Sequence, residues 1–126
     1  GVHALVVDDE EEARQLVQAV LEREGARVTT AASVAAAWAL LTAPGNRFNL
    51  LISDIGMPGE DGYALLRRLR LREASQGHYL PAIALTAYGR TEDRIRALLA
   101  GYQMHVPKPV EAAELVAVVN SLATKG

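Results

Sequence analysis

Cysteine is absent from the 126 residues, and that absence removes a whole set of chemistries. Disulfide frameworks, thiolate zinc sites, iron–sulfur clusters and cysteine nucleophiles are all excluded, while the redox compartment stays open. An excess of either charge is also missing. The 13 Lys+Arg against 15 Asp+Glu leave a formal net charge of −2, which gives no general attraction to nucleic acid or to an anionic membrane. No apolar run is long enough to span a bilayer, since the longest small-and-apolar stretch, residues 31–43, is broken by Ser33 and Thr42. No basic-then-apolar leader opens the chain, so nothing marks it for export and a cytoplasmic location is expected. There is no GxGxxG and no Walker-type loop, the glycines at 56, 59 and 62 being spaced differently. What is present is ordinary globular composition, 50% apolar and 22% charged, in a length that suits a single domain over 1–126.

Five short apolar runs alternate with five helical patterns. The runs are residues 3–8 (HALVVD), 26–31 (ARVTTA), 49–54 (NLLISD), 81–86 (PAIALT) and 102–106 (YQMHV). Four are rich in Val, Ile or Leu and bounded by turn or acidic residues, as strands buried on both faces are. The second alternates Val28 with threonines and reads as less buried. Between the runs the period changes to 3.6. Ala13, Leu16, Val17, Val20 and Leu21 share a helical face, as do Val34, Ala37, Trp38 and Leu41, and Gly62, Leu65, Leu66 and Leu69. Ile95, Leu98 and Leu99 form a shorter stripe, and Ala112, Leu115, Val116 and Val119 a last one. Asp9, Ser33, Asp61 and Thr91 are expected N-caps, with Glu12 completing a capping box on Asp9, and Gly25 and Gly101 are expected C′ glycines. Strict strand–helix alternation predicts an α/β fold, a doubly wound parallel sheet with helices on both faces and right-handed crossovers.

In open α/β sheets, ligands bind beyond the carboxyl ends of the strands. The residues there are Asp8 and Asp9 after the first run, Asp54 after the third, Thr86 after the fourth and Lys108 just after the fifth. Three carboxylates with no arginine in those loops repel one another, and a hard divalent cation, Mg2+, relieves the repulsion while keeping room for a phosphate oxygen. One carboxylate can then serve as nucleophile toward phosphorus, giving an aspartyl phosphate, while a lysine and a hydroxyl hold the other phosphoryl oxygens. Each residue also has a plainer reading. Asp9 serves as an N-cap ahead of Glu10, Glu11 and Glu12; Asp54 as a turn residue before Gly56, Pro58 and Gly59; Thr86 as a strand former; Lys108 as a solvated lysine. Lys108 is one of two lysines beside eleven arginines, which favours a site that wants a compact ammonium over a planar fork. What the plainer readings leave unexplained is their joint occurrence on successive strand ends.

The segments LVVDDEEEAR, LLISDIGMPGEDGY, AIALTA and VPKPVEAAEL resemble the motifs of response-regulator receiver domains of two-component signalling, from residue 4 to about 122. The resemblance implies a flavodoxin-like five-stranded sheet in the order 2-1-3-4-5, an order that periodicity does not supply. It implies that Asp54 is the phosphoacceptor, supplied by a histidine kinase or a histidine phosphotransfer domain. Asp8, Asp9, Asp54 and the backbone carbonyl of Gly56 would hold Mg2+. Thr86 would be the switch hydroxyl, and Lys108 would contact the phosphoryl oxygens, followed by Pro109 in a cis peptide. The family's switch aromatic falls at His105, a departure that leaves open a switch role or a partly exposed strand histidine. The resemblance also implies that side chains at the places of Gly56 and Tyr88 tune the phosphoryl lifetime; Gly56, with no side chain, and Tyr88, with no carboxylate or amide, favour slow hydrolysis. Such a domain is not an enzyme beyond promoting its own phosphorylation and dephosphorylation. Its output partner is a downstream effector or a second copy, through the face of the fourth helix, fifth strand and fifth helix. Direct nucleic-acid binding and membrane insertion are not expected. The Gly1 start and VPKPVEAAEL point toward the receiver of a hybrid sensor kinase or a related multidomain regulator, with no effector-like segment after Leu122.

Other features read as structural. Arg67, Arg68, Arg70 and Arg72 spread over several helical directions without an aromatic ladder and read as a solvated face. Trp38 reads as packing, Pro107 as an edge-strand proline, and His3, His78 and His105 lack zinc spacing. Two other classes of function stay open. A flavodoxin-like cofactor-binding protein or metal-dependent phosphohydrolase is one, although the acidic loop at 8–12 repels phosphate without a metal. A degenerate receiver serving only for docking is the other, although the acceptor, metal and lysine positions are all filled.

Overall fold

The computed structural model describes residues 2–45, 47–57, 61–77, 79–87 and 91–123. Apolar runs and 3.6-period stretches become strands and helices in the expected alternation: β1 (His3–Val7), α1 (Glu11–Arg23), β2 (Arg27–Ala31), α2 (Val34–Thr42), β3 (Leu50–Asp54), α3 (Gly62–Gln76), β4 (Ala82–Ala87), α4 (Thr91–Ala100), β5 (Met104–Lys108) and α5 (Ala112–Ala123). The five strands pair in parallel in the order β2-β1-β3-β4-β5. β3 lies at the centre with every residue buried. β2, with its threonines, lies at an edge, and only Ala31 of it is buried. β5 is the other edge, where Pro107 costs no interior ladder bond.

Successive strand residues feed opposite layers, as the period of 2 requires. Ala4, Val6, Ile52 and Leu85 pack with Val17 and Leu21 of α1 and Leu115 of α5. Leu5, Val7, Leu51 and Ala84 pack against α2, α3 and α4, through residues such as Ala37, Leu66 and Ala97. Trp38 packs against this second layer, with the Arg68 guanidinium 4.2 Å above its ring.

Several local expectations are corrected. Ser33 and Asp61 do cap their helices, accepting from Ala36 N at 3.1 Å and Ala64 N at 3.0 Å. Asp9 does not. The N-cap of α1 is Glu10, with no side-chain cap bond, because Asp8 Oδ1 takes the Glu10 amide at 2.9 Å and delays the helix by a residue. Thr91 is the first residue of α4 rather than the residue before it. β5 starts at 104, not 102, because Gly101 (φ 118°) and the amide of Tyr102, bonded to Ala97 O at 3.0 Å, complete the end of α4. The stripe expected to face the core from α4 faces out: Ile95, Leu98 and Leu99 are 50%, 48% and 82% exposed, while Ala97 and Ala100 meet the sheet layer. Leu16 of α1 is likewise exposed.

Arg70 is not solvated. Its Nε and Nη2 donate to Gly101 O at 3.0 and 2.8 Å, and Nη1 donates to Leu80 O at 2.8 Å and Glu73 Oε1 at 2.6 Å. Buried Glu73 also accepts the Leu80 amide on Oε2 at 2.7 Å. This fork ties α3 to the starts of β4 and β5, at the end of the sheet away from Asp8 and Asp54. Truncation would leave the Glu73 carboxylate buried with its cation removed. Arg70→Ala should therefore lower unfolding free energy by about 3 kcal/mol in urea titrations, with Arg70→Lys recovering little because an ammonium lacks the fork. A loss under about 0.5 kcal/mol would mark the group as an ordinary surface charge.

Candidate functional site

Parallel pairing brings the strand ends to one rim. The register sets Val7 beside Ser53, Asp54 beside Leu85, Thr86 beside Pro107 and Ala87 beside Lys108. Asp8, Asp54 and Thr86 are buried there, at 0%, 7% and 0% exposure. Burying carboxylates is costly without partners. The partner is Lys108, whose Nζ lies 3.0 Å from Asp8 Oδ2 and 3.2 Å from Asp54 Oδ2. Glu10 Oε1 is also 3.8 Å from that ammonium, but its side chain is 70% exposed and adds little.

The remaining oxygens are held by backbone. Asp8 Oδ1 accepts from the Glu10 amide, and Asp54 Oδ1 accepts from the Gly56 amide at 3.1 Å. Arg14 Nη1 donates to the Asp8 carbonyl at 2.8 Å, a contact that helical spacing did not reveal. Asp8 Oδ2 faces Lys108 as an ion pair without an aligned hydrogen bond, and buried Thr86 Oγ1 has no hydrogen-bond partner among the described residues.

One oxygen from each of Asp8, Asp9 and Asp54 lies within 4.8 Å of the others. Three carboxylates face one ammonium, Asp9 opens the group to solvent, and Asp8 Oδ2 lacks a directed partner, so the donor set fits a hard divalent cation. Gly56 is fixed beside it through its amide. Burial pushes the Asp8 carboxyl above the ordinary aspartate range, and the Glu10 amide and Lys108 only partly pull it back. For Lys108, burial alone would lower the ammonium, but the close pairing with the Asp8 carboxylate and the charge of Asp54 outweigh it and hold it above the ordinary lysine value. The lysine is stably charged, and Asp8 is the strained member of the pair.

His105 sits half-buried on β5 in register with Ala84, with Nδ1 buried and without a hydrogen-bond partner among the described residues. The Lys108–Pro109 peptide is cis. His3 is instead occupied at the opposite end of the sheet, its Nε2 2.8 Å from Thr29 Oγ1. Tyr88, Pro58, Gly59 and His78 lie outside the described residues. A groove of about 610 Å³ beside the site is lined by Ala13, Leu16, Lys108, Pro109 and Val110 with Glu10 and Glu12. Sequence reasoning also missed Ser53 and Tyr102, both buried behind Asp54. The sequence places Ser53 and Tyr102 only as members of apolar runs, and Gly62 only as one position of an apolar face.

A family model described as response regulator receiver domain matches residues 4–120. The chain is 46% identical over 116 residues to an uncharacterized 14.6 kDa protein of Leptolyngbya boryana, covering 92% of this chain and 86% of that one. It is 43% identical over 120 residues to protein PetR of Rhodobacter capsulatus, covering 95% of this chain and 48% of PetR. Among solved structures, a putative response regulator from Chloroflexus aurantiacus superposes with a TM-score of 0.83 at 34% identity, covering 95% of each chain.

The Asp8 shift has a definite sign for stability. A carboxyl raised in the folded state binds protons more tightly than in the unfolded chain, so its contribution is lost as pH rises through the folded value. Asp8→Asn should therefore raise the urea midpoint of the metal-free protein at neutral pH and flatten its decline above the ordinary aspartate range. An unchanged or lowered midpoint would mean that the Lys108 pair outweighs burial.

Proposed function

This chain belongs to the response regulator receiver domain family, and from that premise we propose that Asp54 accepts a phosphoryl group from the phosphohistidine of a histidine kinase or histidine phosphotransfer domain. The observation that carries the reading is the Lys108 ammonium set between Asp8 and Asp54, 3.0 and 3.2 Å from their carboxylates. With Oδ1 tied to the Gly56 amide, the Asp54 carboxylate is held in one orientation. One of its oxygens attacks phosphorus, the P–N bond to the donor imidazole breaks, and the electron pair returns to that ring. Lys108 faces the charge on the phosphoryl oxygens, and the Thr86 hydroxyl, bonded to nothing described, is free to donate to one of them. Asp8, Asp9, Asp54 and the Gly56 carbonyl would hold Mg2+, which when bound supplies positive charge to the phosphoryl oxygens. The domain promotes only its own phosphorylation and dephosphorylation.

Residues 1–126 act on this reading as a single cytoplasmic receiver unit, and no helix among the described residues is long and apolar enough to cross a membrane. The groove along Ala13, Leu16 and Pro109 suits the approaching phosphodonor, because it opens beside Lys108. Thr86 and His105 form the switch, each carrying, on neighbouring strands, a buried polar atom without a hydrogen-bond partner among the described residues. The output face is that of α4, β5 and α5, where Ile95, Leu98 and Leu99 stand exposed for an effector or a second copy. A flavin-phosphate site is disfavoured by the acidic turn at 8–12, and a docking-only role by the complete set of Asp, Thr and Lys.

Asp54→Asn keeps the shape and removes the nucleophile, so magnesium-dependent labelling by acetyl phosphate should vanish with the circular dichroism spectrum unchanged. Label persisting on a carboxylate would move the acceptor to Asp8 or Asp9. The lifetime test sits at Gly56, where an added Cβ would lie 3.8 Å from Asp54 Oδ1, an ordinary contact. Gly56→Asn should fit and shorten the phosphorylated lifetime by orienting attacking water, a tenfold change corresponding to about 1.4 kcal/mol in the barrier. Decay no faster than in the parent would mean that backbone exposure, not a side chain, controls hydrolysis.

A further inference from the structure

A second polar network lies behind the phosphoacceptor strand, out of reach of the phosphoryl group. Ser53 is wholly buried and donates its hydroxyl to the Asp54 carbonyl at 3.1 Å. Tyr102 enters from the turn between α4 and β5, is 2% exposed, and donates to the Gly62 carbonyl at 2.8 Å. Burial holds the phenol above the ordinary tyrosine range, so it remains a neutral donor. Gly62 opens α3, so close to β3 that a Cβ there would lie 2.5 Å from Asp54 O, 2.9 Å from Ile55 Cα and 3.0 Å from the Tyr102 hydroxyl.

Packing alone does not account for the phenol. A phenylalanine would fill the same volume, and the Gly62 carbonyl can still accept from within its own helix by ordinary i→i−4 bonding. What the hydroxyl adds is a directed tie between the start of α3 and the α4–β5 turn, against the backbone of Asp54. That turn is gripped again by Arg70 through Gly101 O, so it is fixed on two sides. The Asp54 carboxylate is thus anchored in front by Gly56 and Lys108, and its main chain is anchored behind by Ser53 and Gly62.

We propose that Tyr102, together with Ser53, is a positioning residue for phosphoryl transfer, fixing the end of β3 so that the Asp54 carboxylate is held for in-line attack. The inference rests on the reading of Asp54 as the acceptor. Neither hydroxyl touches the reacting atoms, so the effect appears as slower transfer that persists at saturating magnesium.

The test uses the whole chain with Tyr102→Phe, Ser53→Ala, the double variant and Asp54→Asn. Labelling by acetyl phosphate at saturating magnesium is followed well below each melting temperature, with magnesium affinity measured by calorimetry. Tyr102→Phe and Ser53→Ala should each slow labelling about three- to tenfold even at saturating magnesium, as a small misplacement of the nucleophile does. The double variant should be no slower than the slower single one, since both hydroxyls act on the same end of β3. Parent-like rates in both single variants, or a deficit that appears only near the melting temperature, would overturn the positioning role. Label retained by Asp54→Asn would overturn the acceptor reading instead, so the two failures are distinguishable.

Discussion

The ammonium of Lys108, 3.0 Å from Asp8 and 3.2 Å from Asp54, is the contact on which the rim of this sheet depends. Without it, two buried carboxylates would stand side by side at the end of an apolar sheet with their repulsion unopposed. With it the charge is only partly cancelled, because Asp9 brings a third carboxylate into the same space. The residual negative charge is what a divalent cation and, through it, a phosphoryl group can use. A compact ammonium suits this place better than a guanidinium, whose planar fork would engage both carboxylates fully and leave less room for a ligand.

The scaffold behind that contact is α3. Its first residue, Gly62, presses on the Asp54 carbonyl, and its Arg70, two turns on, grips Gly101 O and Leu80 O. The same helix therefore meets the end of β3 at its start and the turn leading into β5 at its middle. Lys108 closes β5, so Asp54 and the cation facing it belong to segments that α3 contacts in common. The costly burial of Asp8 is supported by two apolar layers on opposite faces of one sheet.

The strand-end residues were legible because a parallel sheet delivers the carboxyl ends of its strands to one edge, so Asp8, Asp54, Thr86 and Lys108 could be grouped before any contact was known. Other features were hidden for definite reasons. Along α4, hydropathy gives weight to Ile95, Leu98 and Leu99, but the helix approaches the sheet through the small Ala97 and Ala100, and the large residues turn outward. At the first loop, Asp8 and Asp9 are equally good capping types. The choice was made by Asp8 taking the Glu10 amide, which local propensity does not register. Arg70 finds its carbonyl partners 10 and 31 residues away, and Tyr102 finds Gly62 40 residues away, so no local window contains either pairing.

Thr86 and His105 each carry a buried polar atom with no hydrogen-bond partner among the described residues, which bears on how the proposed modification would be read out. A buried polar group left without a partner costs about 1–3 kcal/mol, and two lie on adjacent strands here. A bond from the Thr86 hydroxyl to a charged phosphoryl oxygen is worth about 1.5–3 kcal/mol, roughly ten- to a hundredfold in an equilibrium constant. Since a ligand shifts two conformations only by its differential interaction with them, that is the scale of switching one hydroxyl supplies. His105, opposite Ala84 and with its own Nδ1 unpartnered, is placed to share in the change, because Ala84 and Thr86 point to the same side of β4. A gain of that size biases a population without locking it. The exposed apolar side chains of α4 would then complete the switch only when a partner adds its own binding free energy to the phosphorylated form.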